Sequence, residues 1–238
     1  RGALTLNVGP LACINQSGRG RGSCSRERTV IVIVPSNRSV NIAYLQPLIE
    51  HGARFIVVDD SEGSIEIDHP AFEVYTWKDR RRMLGPLDEW FPRRNGACRD
   101  FGFYIAWQQG DDGEIIVALD DDCEVDMPDF GAQVEAALSP AQRPLWRGAG
   151  RHANILELYE GVSRDLYPRG FPYSSRFGHV PWEVGGTTSE SPLFNLGLWR
   201  DAFDVNAVDK IVGPEWQHPE AKLHHHSMAL PPGVLISA

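Results

Sequence analysis

Long apolar runs are missing from this 238-residue chain, and no stretch approaches the length needed to cross a bilayer. No signal-peptide pattern of charged start, apolar centre and small-residue end is visible. Cysteine is scarce. Cys13, Cys24, Cys98 and Cys123 have a spacing that fits neither a paired zinc motif nor a secreted disulfide framework. Cys98 and Cys123 are expected as small reduced core residues. These absences point to a reducing, cytoplasmic setting, with peripheral attachment to membranes left open. Positive charge is also short: 23 Lys and Arg face 32 Asp and Glu, for a net charge of −9 and a pI near 5.3. A general nucleic-acid binder needs a basic face, so that class is excluded. The chain has no Walker-type loop, no G-x-G-x-x-G after a strand, no G-x-S-x-G and no H-E-x-x-H.

Hydrophobic residues make up 42% of the chain, enough for a sizeable core. Residues 1–28 contain the basic, Gly-rich stretch Ser17–Ser23 and are expected as a flexible arm. Order is expected from Thr29. Thr29–Val34, Arg54–Val58, Phe72–Trp77 and Glu114–Leu119 read as strands, the first as a fully buried run. Asn41–His51, Cys98–Gln109 and Phe130–Leu138 read as helices, with Pro47 a blemish in the first. Lys78–Arg82 reads as a basic segment. This order predicts an α/β fold with a mostly parallel central sheet, flanking helices and a loop-rich C-terminal half. The expected organisation is one domain over 29–238 with two halves, about 29–125 and about 126–238, which the resemblance described below would make a nucleotide half and a sugar or acceptor half.

The run Ile115-Ile116-Val117-Ala118-Leu119-Asp120-Asp121-Asp122-Cys123 is the most informative segment. A buried strand delivers three carboxylates to its carboxyl end, where open α/β sheets bind ligands. Strand alternation would point Asp120 and Asp122 one way and Asp121 the other. Two carboxylates on one side make a hard oxygen site for Mg²⁺ or Mn²⁺, and the cation could bridge to a diphosphate. A solvated acidic turn is the competing reading. The same sheet edge should carry Pro35, Asn37 and Arg38 after the first strand and Asp59 and Asp60 after the second. Arg38 suits a phosphate or a base, and an acid there suits a base or ribose.

Arg93–Arg99 precedes a helix, so Arg99 should project from a first turn, where anions are favoured. A plain capping region is an equal alternative. Tyr167–Arg176 sets Arg169 and Arg176 among aromatics, a clamp for phosphate or a self-stacked loop. One residue of His224-His225-His226, taken as His225, could complete a metal site with Asp122; a truncated purification tag or a plain loop is the competing reading.

Several of these segments together resemble a known family. Val34–Arg38, Val57–Asp60, Asp79–Gly85, Ala97–Phe103, Leu119–Cys123, Arg169–Arg176 and Gly197–Trp199 are similar to the reversibly glycosylated polypeptides, the UDP-arabinopyranose mutases best known from plants. The resemblance covers about residues 29–235. It implies a GT-A-like, Rossmann-like fold, a divalent metal (Mn²⁺ or Mg²⁺) and a UDP-sugar substrate interconverted between pyranose and furanose forms. It further implies Asp120 and Asp122 as metal ligands, with Asp121 beside them in the catalytic group. Arg169 matches the arginine that becomes glycosylated, and Arg176 the second arginine of that motif. Arg82 and Arg99 join Pro35, Asn37, Arg38, Asp59, Asp60 and Asp120 as nucleotide-binding candidates.

The leading expectation is therefore a metal-dependent UDP-sugar mutase with self-glycosylation on arginine. One alternative is a glycosyltransferase with a separate acceptor, for which Glu183, Glu190 and Asp204 are candidate bases. Another is a non-catalytic subunit that binds UDP-sugar. A homo-oligomer or a partner subunit fits either class.

Overall fold

In the computed structural model, the described residues are 4–6, 29–61, 63–111, 114–125, 129–163, 165–190, 203–205, 207–212, 229 and 235–236. The chain divides into two compact units after Leu138, with the short strand β1 (Leu4–Leu6) grouped into the second.

The first unit is built on four strands. They are β2 (Val30–Ser36), β3 (Arg54–Asp59), β4 (Phe72–Tyr75) and β5 (Ile115–Ala118). Their spatial order is β4-β3-β2-β5 and every pairing is parallel. Ile31, Val32, Ile33 and Val34 are all buried, as are Phe55, Ile56 and Val57. Both faces of the sheet are covered, which is why these strands read as continuous apolar runs rather than alternating ones.

Helix α1 (Gln46–Glu50) follows a 3₁₀ turn at Ile42–Leu45. The expected single helix over 41–51 is split there. Pro47 falls in the first turn of α1, where its missing N–H has no partner to lose. Helix α2 (Trp77–Leu84) replaces both the end of the expected third strand and the expected basic segment. It leads into a 3₁₀ turn at Gly85–Trp90. Helix α3 (Cys98–Gln109) occupies the residues expected of it and packs Cys98, Phe101, Ile105 and Ala106 on Ile31, Ile33, Ile56 and Val58. Gly102 allows this close approach, since a Cβ there would collide with Ile33 Cγ2. Strand β6 (Cys123–Val125) and helix α4 (Phe130–Leu138) complete the unit.

In the second unit, β7 (Arg143–Arg147) pairs antiparallel with β9 (Glu183–Thr188), and β8 (His152–Ala153) pairs parallel with β10 (Leu235–Ile236). Among the described residues its helices are short: α5 (Tyr173–Arg176) and α6 (Ala207–Val212). Trp146, Ile155, Leu156, Tyr159, Leu166, Trp182 and Phe203 form its core. Among the described residues, aromatic rings and short bridges, not long elements, hold this half together, in line with the expected loop-rich C-terminal half. The parallel sheet with flanking helices is the Rossmann-like, GT-A-like α/β architecture. No helix among the described residues is long and apolar enough to cross a membrane.

Candidate active site

Parallel pairing brings the carboxyl ends of β2, β3 and β5 to one edge. Ser36 lies opposite Asp59 in register, and Ala118 pairs with Ile33. Pro35 is tolerated in β2 because β5 pairing ends at Ile33, so the side lacking an N–H carries no ladder bond. Asn37 is exposed in the bend that follows.

Beyond β5 the chain does not continue as a strand. Asp121 and Asp122 form a turn, closed by Cys123 N–H donating to the Asp120 carbonyl at 3.1 Å. The turn, not strand alternation, sorts the three acids. The Asp120 and Asp122 side chains are 58% and 53% exposed, whereas Asp121 is 12% exposed. Asp121 turns inward and accepts from Ser36 Oγ at 2.5 Å, from Arg38 Nε at 3.1 Å and from Arg38 Nη2 at 2.6 Å. That two-pronged contact fixes the guanidinium plane. Arg38 Nη2 also reaches Asp122 at 3.2 Å. The hydrogen bond from Asp121, and then its charge, push the Arg38 pKa further up. Arg99, in the first turn of α3, pairs with Asp120, and its Nε is buried without a hydrogen-bond partner. Each exposed acid of the cluster is thus held by one arginine.

Asp59 and Asp60 are buried, and both oxygens of each serve the protein. Asp59 accepts from Ser61 N–H at 2.7 Å, Ser61 Oγ at 2.5 Å and Ile65 N–H at 3.2 Å. Asp60 accepts from Trp77 Nε1 at 2.6 Å and Asn95 N–H at 3.0 Å. Here they fasten loops, and Asp60 fixes the segment leading into α3 and Arg99. Arg80 supports the same segment from within the unit. It is 1% exposed, pairs with Asp88 at 2.6 Å and donates to the Phe91 carbonyl at 3.1 Å. Arg82 is exposed and pairs at 3.0 Å with Asp79, which closes the capping box of α2 with Thr76. Burial opposes ionisation of Asp79, but the hydrogen bonds from Thr76 prevail and its pKa is lowered.

In the second unit, Arg169 is exposed. Its Nη2 lies 2.8 Å from Asp204 Oδ2, and its N–H donates to the Asp204 carbonyl at 2.7 Å. Asp204 also accepts from Lys210 at 3.2 Å. Arg176 lies between two rings, its Cζ 4.8 Å from the centre of Tyr167 and 4.3 Å from that of Tyr173. Asp209 is 3.6 Å from Arg176 Nη1. Both arginines are already held by carboxylates of their own unit, contacts that sequence spacing does not reveal. Glu183 and Glu190 are exposed. His225 and Gly197–Trp199 lie outside the described residues.

Residues 26–237 match the family described as reversibly glycosylated polypeptide. The chain belongs to that family. Among its relatives is UDP-arabinopyranose mutase 2 of Arabidopsis thaliana, 26% identical over 215 residues, which cover 86% of this chain and 52% of the relative. Probable UDP-arabinopyranose mutase 1 of Pisum sativum is 27% identical over 189 residues, covering 77% of this chain and 46% of the relative. Probable UDP-arabinopyranose mutase 4 of Arabidopsis thaliana is 25% identical over 189 residues, with the same two shares. The chain spans about half the length of the curated relatives it matches.

The divalent metal expected from the resemblance can be tested against the donor set. No group of three or more His, Cys, Asp or Glu among the described residues could hold an ion by itself. Mg²⁺ is commonly held by one or two carboxylates, with substrate phosphates and water completing its shell. Asp120 and Asp122, exposed and hard, fit that mode. The orphaned Nε of Arg99 fits an anion beside them.

Proposed function

We propose that this chain is a metal-dependent UDP-sugar enzyme, a pyranose/furanose mutase of the kind its relatives' names describe. The observation that carries this reading is the arginine-paired acid cluster at the carboxyl edge of a parallel sheet, in a member of this family. Asp120 and Asp122 would hold Mn²⁺ or Mg²⁺, which supplies charge neutralisation of the departing diphosphate. Arg38 and Arg99 bind the diphosphate and stabilise the charge that develops on it. Asp121 positions Arg38 through the two-pronged contact, and Asp60 positions the start of α3. As the bond from C1 to UDP breaks with its electron pair staying on UDP, the sugar's 4-hydroxyl bonds to C1 and loses its proton; the bond from C1 to the old ring oxygen then breaks, that oxygen takes up a proton, and UDP re-adds to C1. Arg169, oriented by Asp204, is the proposed site of self-glycosylation. In that step a C–N bond forms to the guanidinium as the bond to UDP breaks, the electron pair stays on UDP and the guanidinium gives up a proton.

The test is a product assay. The protein is incubated with Mn²⁺ and a panel of UDP-sugars including UDP-arabinopyranose, and the nucleotides are separated by chromatography. A new isomeric UDP-sugar is expected, and Asp122→Asn should reduce its formation about 100-fold or more. Free UDP without an isomer would favour the transferase instead. Binding with no chemistry would favour the non-catalytic subunit. Full activity in Asp122→Asn would remove the metal assignment.

A further inference from the structure

The second unit contains a cavity of about 220 Å³, lined by Gly150, Arg151, His152, Ser175, His179 and Val180 among others. Two imidazoles face it, and each is fixed through one ring nitrogen. His152 Nδ1 lies 3.1 Å from Ser175 Oγ. His179 Nε2 lies 2.5 Å from Glu157 Oε1, and both side chains of that pair are only 8% exposed. Glu157 is itself locked by Trp182 N–H at 2.9 Å. The His179 ring is also wedged edge-on against Tyr167 and Phe171. Nε2 of His152 and Nδ1 of His179 are the ring nitrogens outside these two contacts. A histidine with one nitrogen pinned has a fixed orientation, and the carboxylate of Glu157 also selects the N–H on Nε2 of His179.

We propose that this cavity binds the hydroxyl-bearing ring of a single sugar. Three observations select that ligand. Cavities for larger, drug-sized ligands run from about 300 Å³ upward, so this one suits a monosaccharide better than a whole nucleotide. The two imidazoles and the Ser175 hydroxyl offer donors and acceptors between them, which matches hydroxyls rather than a group that only accepts. Arg151 adds a cation to the lining, and Glu157 stands directly behind His179. Val180 and Ala149 supply apolar surface for the carbon face of a ring. Ser175 is one residue from Arg176, so the cavity adjoins the arginine-containing motif on its own unit. The choice of a sugar over other hydroxyl compounds rests on the nucleotide-sugar reading above.

The test follows histidine imidazole NMR signals in the full chain, with His152 and His179 assigned by His152→Gln and His179→Gln. L-arabinose, D-xylose, D-galactose and inorganic phosphate are titrated separately, and UDP binding is measured alongside by calorimetry. At least one sugar should shift both signals saturably. Loss of one ligand hydrogen bond in His179→Gln should weaken that sugar about tenfold while UDP affinity stays the same. If His179→Gln does not fold, Ser175→Ala should weaken the sugar through release of His152. UDP binding with no sugar-dependent shift would overturn the cavity assignment alone. Shifts with phosphate but not with sugars would overturn it in favour of an anion pocket. Failure of UDP to bind would instead remove the nucleotide-sugar reading.

Discussion

At the scale of single residues, the acid run shows why neighbours of one type acquire different tasks. Asp120 and Asp122 face solvent and can serve a ligand, while Asp121 is committed to Ser36 and Arg38. The sequence made the cluster visible, and its separation into outward and inward acids was anticipated for the wrong reason. Strand alternation gives way to a turn after Ala118, and the turn performs the sorting. Asp59 and Asp60 were legible as acids at a strand end. Their saturation by protein donors was not, because Trp77 and Asn95 are distant in the chain from Asp60. Cys123 illustrates burial at the same edge. Burial, and then the charge of Asp120, push its thiol up to about 12. Because the pKa is raised, almost no thiolate exists at neutral pH, and the nucleophilic form appears only as pH climbs toward that value. Iodoacetamide should therefore leave Cys123 unmodified in the native protein at neutral pH and label it on unfolding. Rapid native labelling, read by peptide mass spectrometry, would contradict the burial described.

At the scale of elements, α3 was fully legible. Its apolar spacing and the residues around it define Cys98–Gln109, and Arg99 follows as a first-turn residue. Helix α2 was not. Its face is dominated by Arg80, Arg81 and Arg82, a pattern that reads as solvated, yet Arg80 is buried on Asp88. A signal was present in Thr76 and Asp79, whose three-residue spacing is that of a capping box. In the second unit, short bridges and ring contacts carry the structure, and neither has a periodicity to read. The tightest element contact yields a mutational prediction. Gly102→Ala would drive a methyl into Ile33 Cγ2 and press on Val58 Cγ2 at 3.2 Å. Overpacking of this kind costs about 1–3 kcal/mol. Urea denaturation should show that loss in stability, and an unchanged midpoint would mean that α3 sits farther from the sheet than described.

For the molecule as a whole, composition is the better guide. A net charge of −9 leaves positive charge to act locally, in Arg38 and Arg99, where carboxylates already hold it in place. A random-sequence DNA duplex should therefore leave the electrophoretic mobility of the chain unchanged at physiological salt. A retarded band would show a basic surface that the totals conceal.

Strand order has a consequence in time. During synthesis, β2, β3 and β4 emerge before β5, yet β5 lies on the open side of β2. Until residues 115–118 leave the ribosome, that edge keeps its amides and carbonyls unpaired beside Ile31, Ile33 and Val34, side chains destined for full burial. An apolar parallel edge of this kind invites association between nascent chains. The three acids are translated directly after the strand that closes it. Any ligand that depends on those acids thus arrives too late to template the sheet.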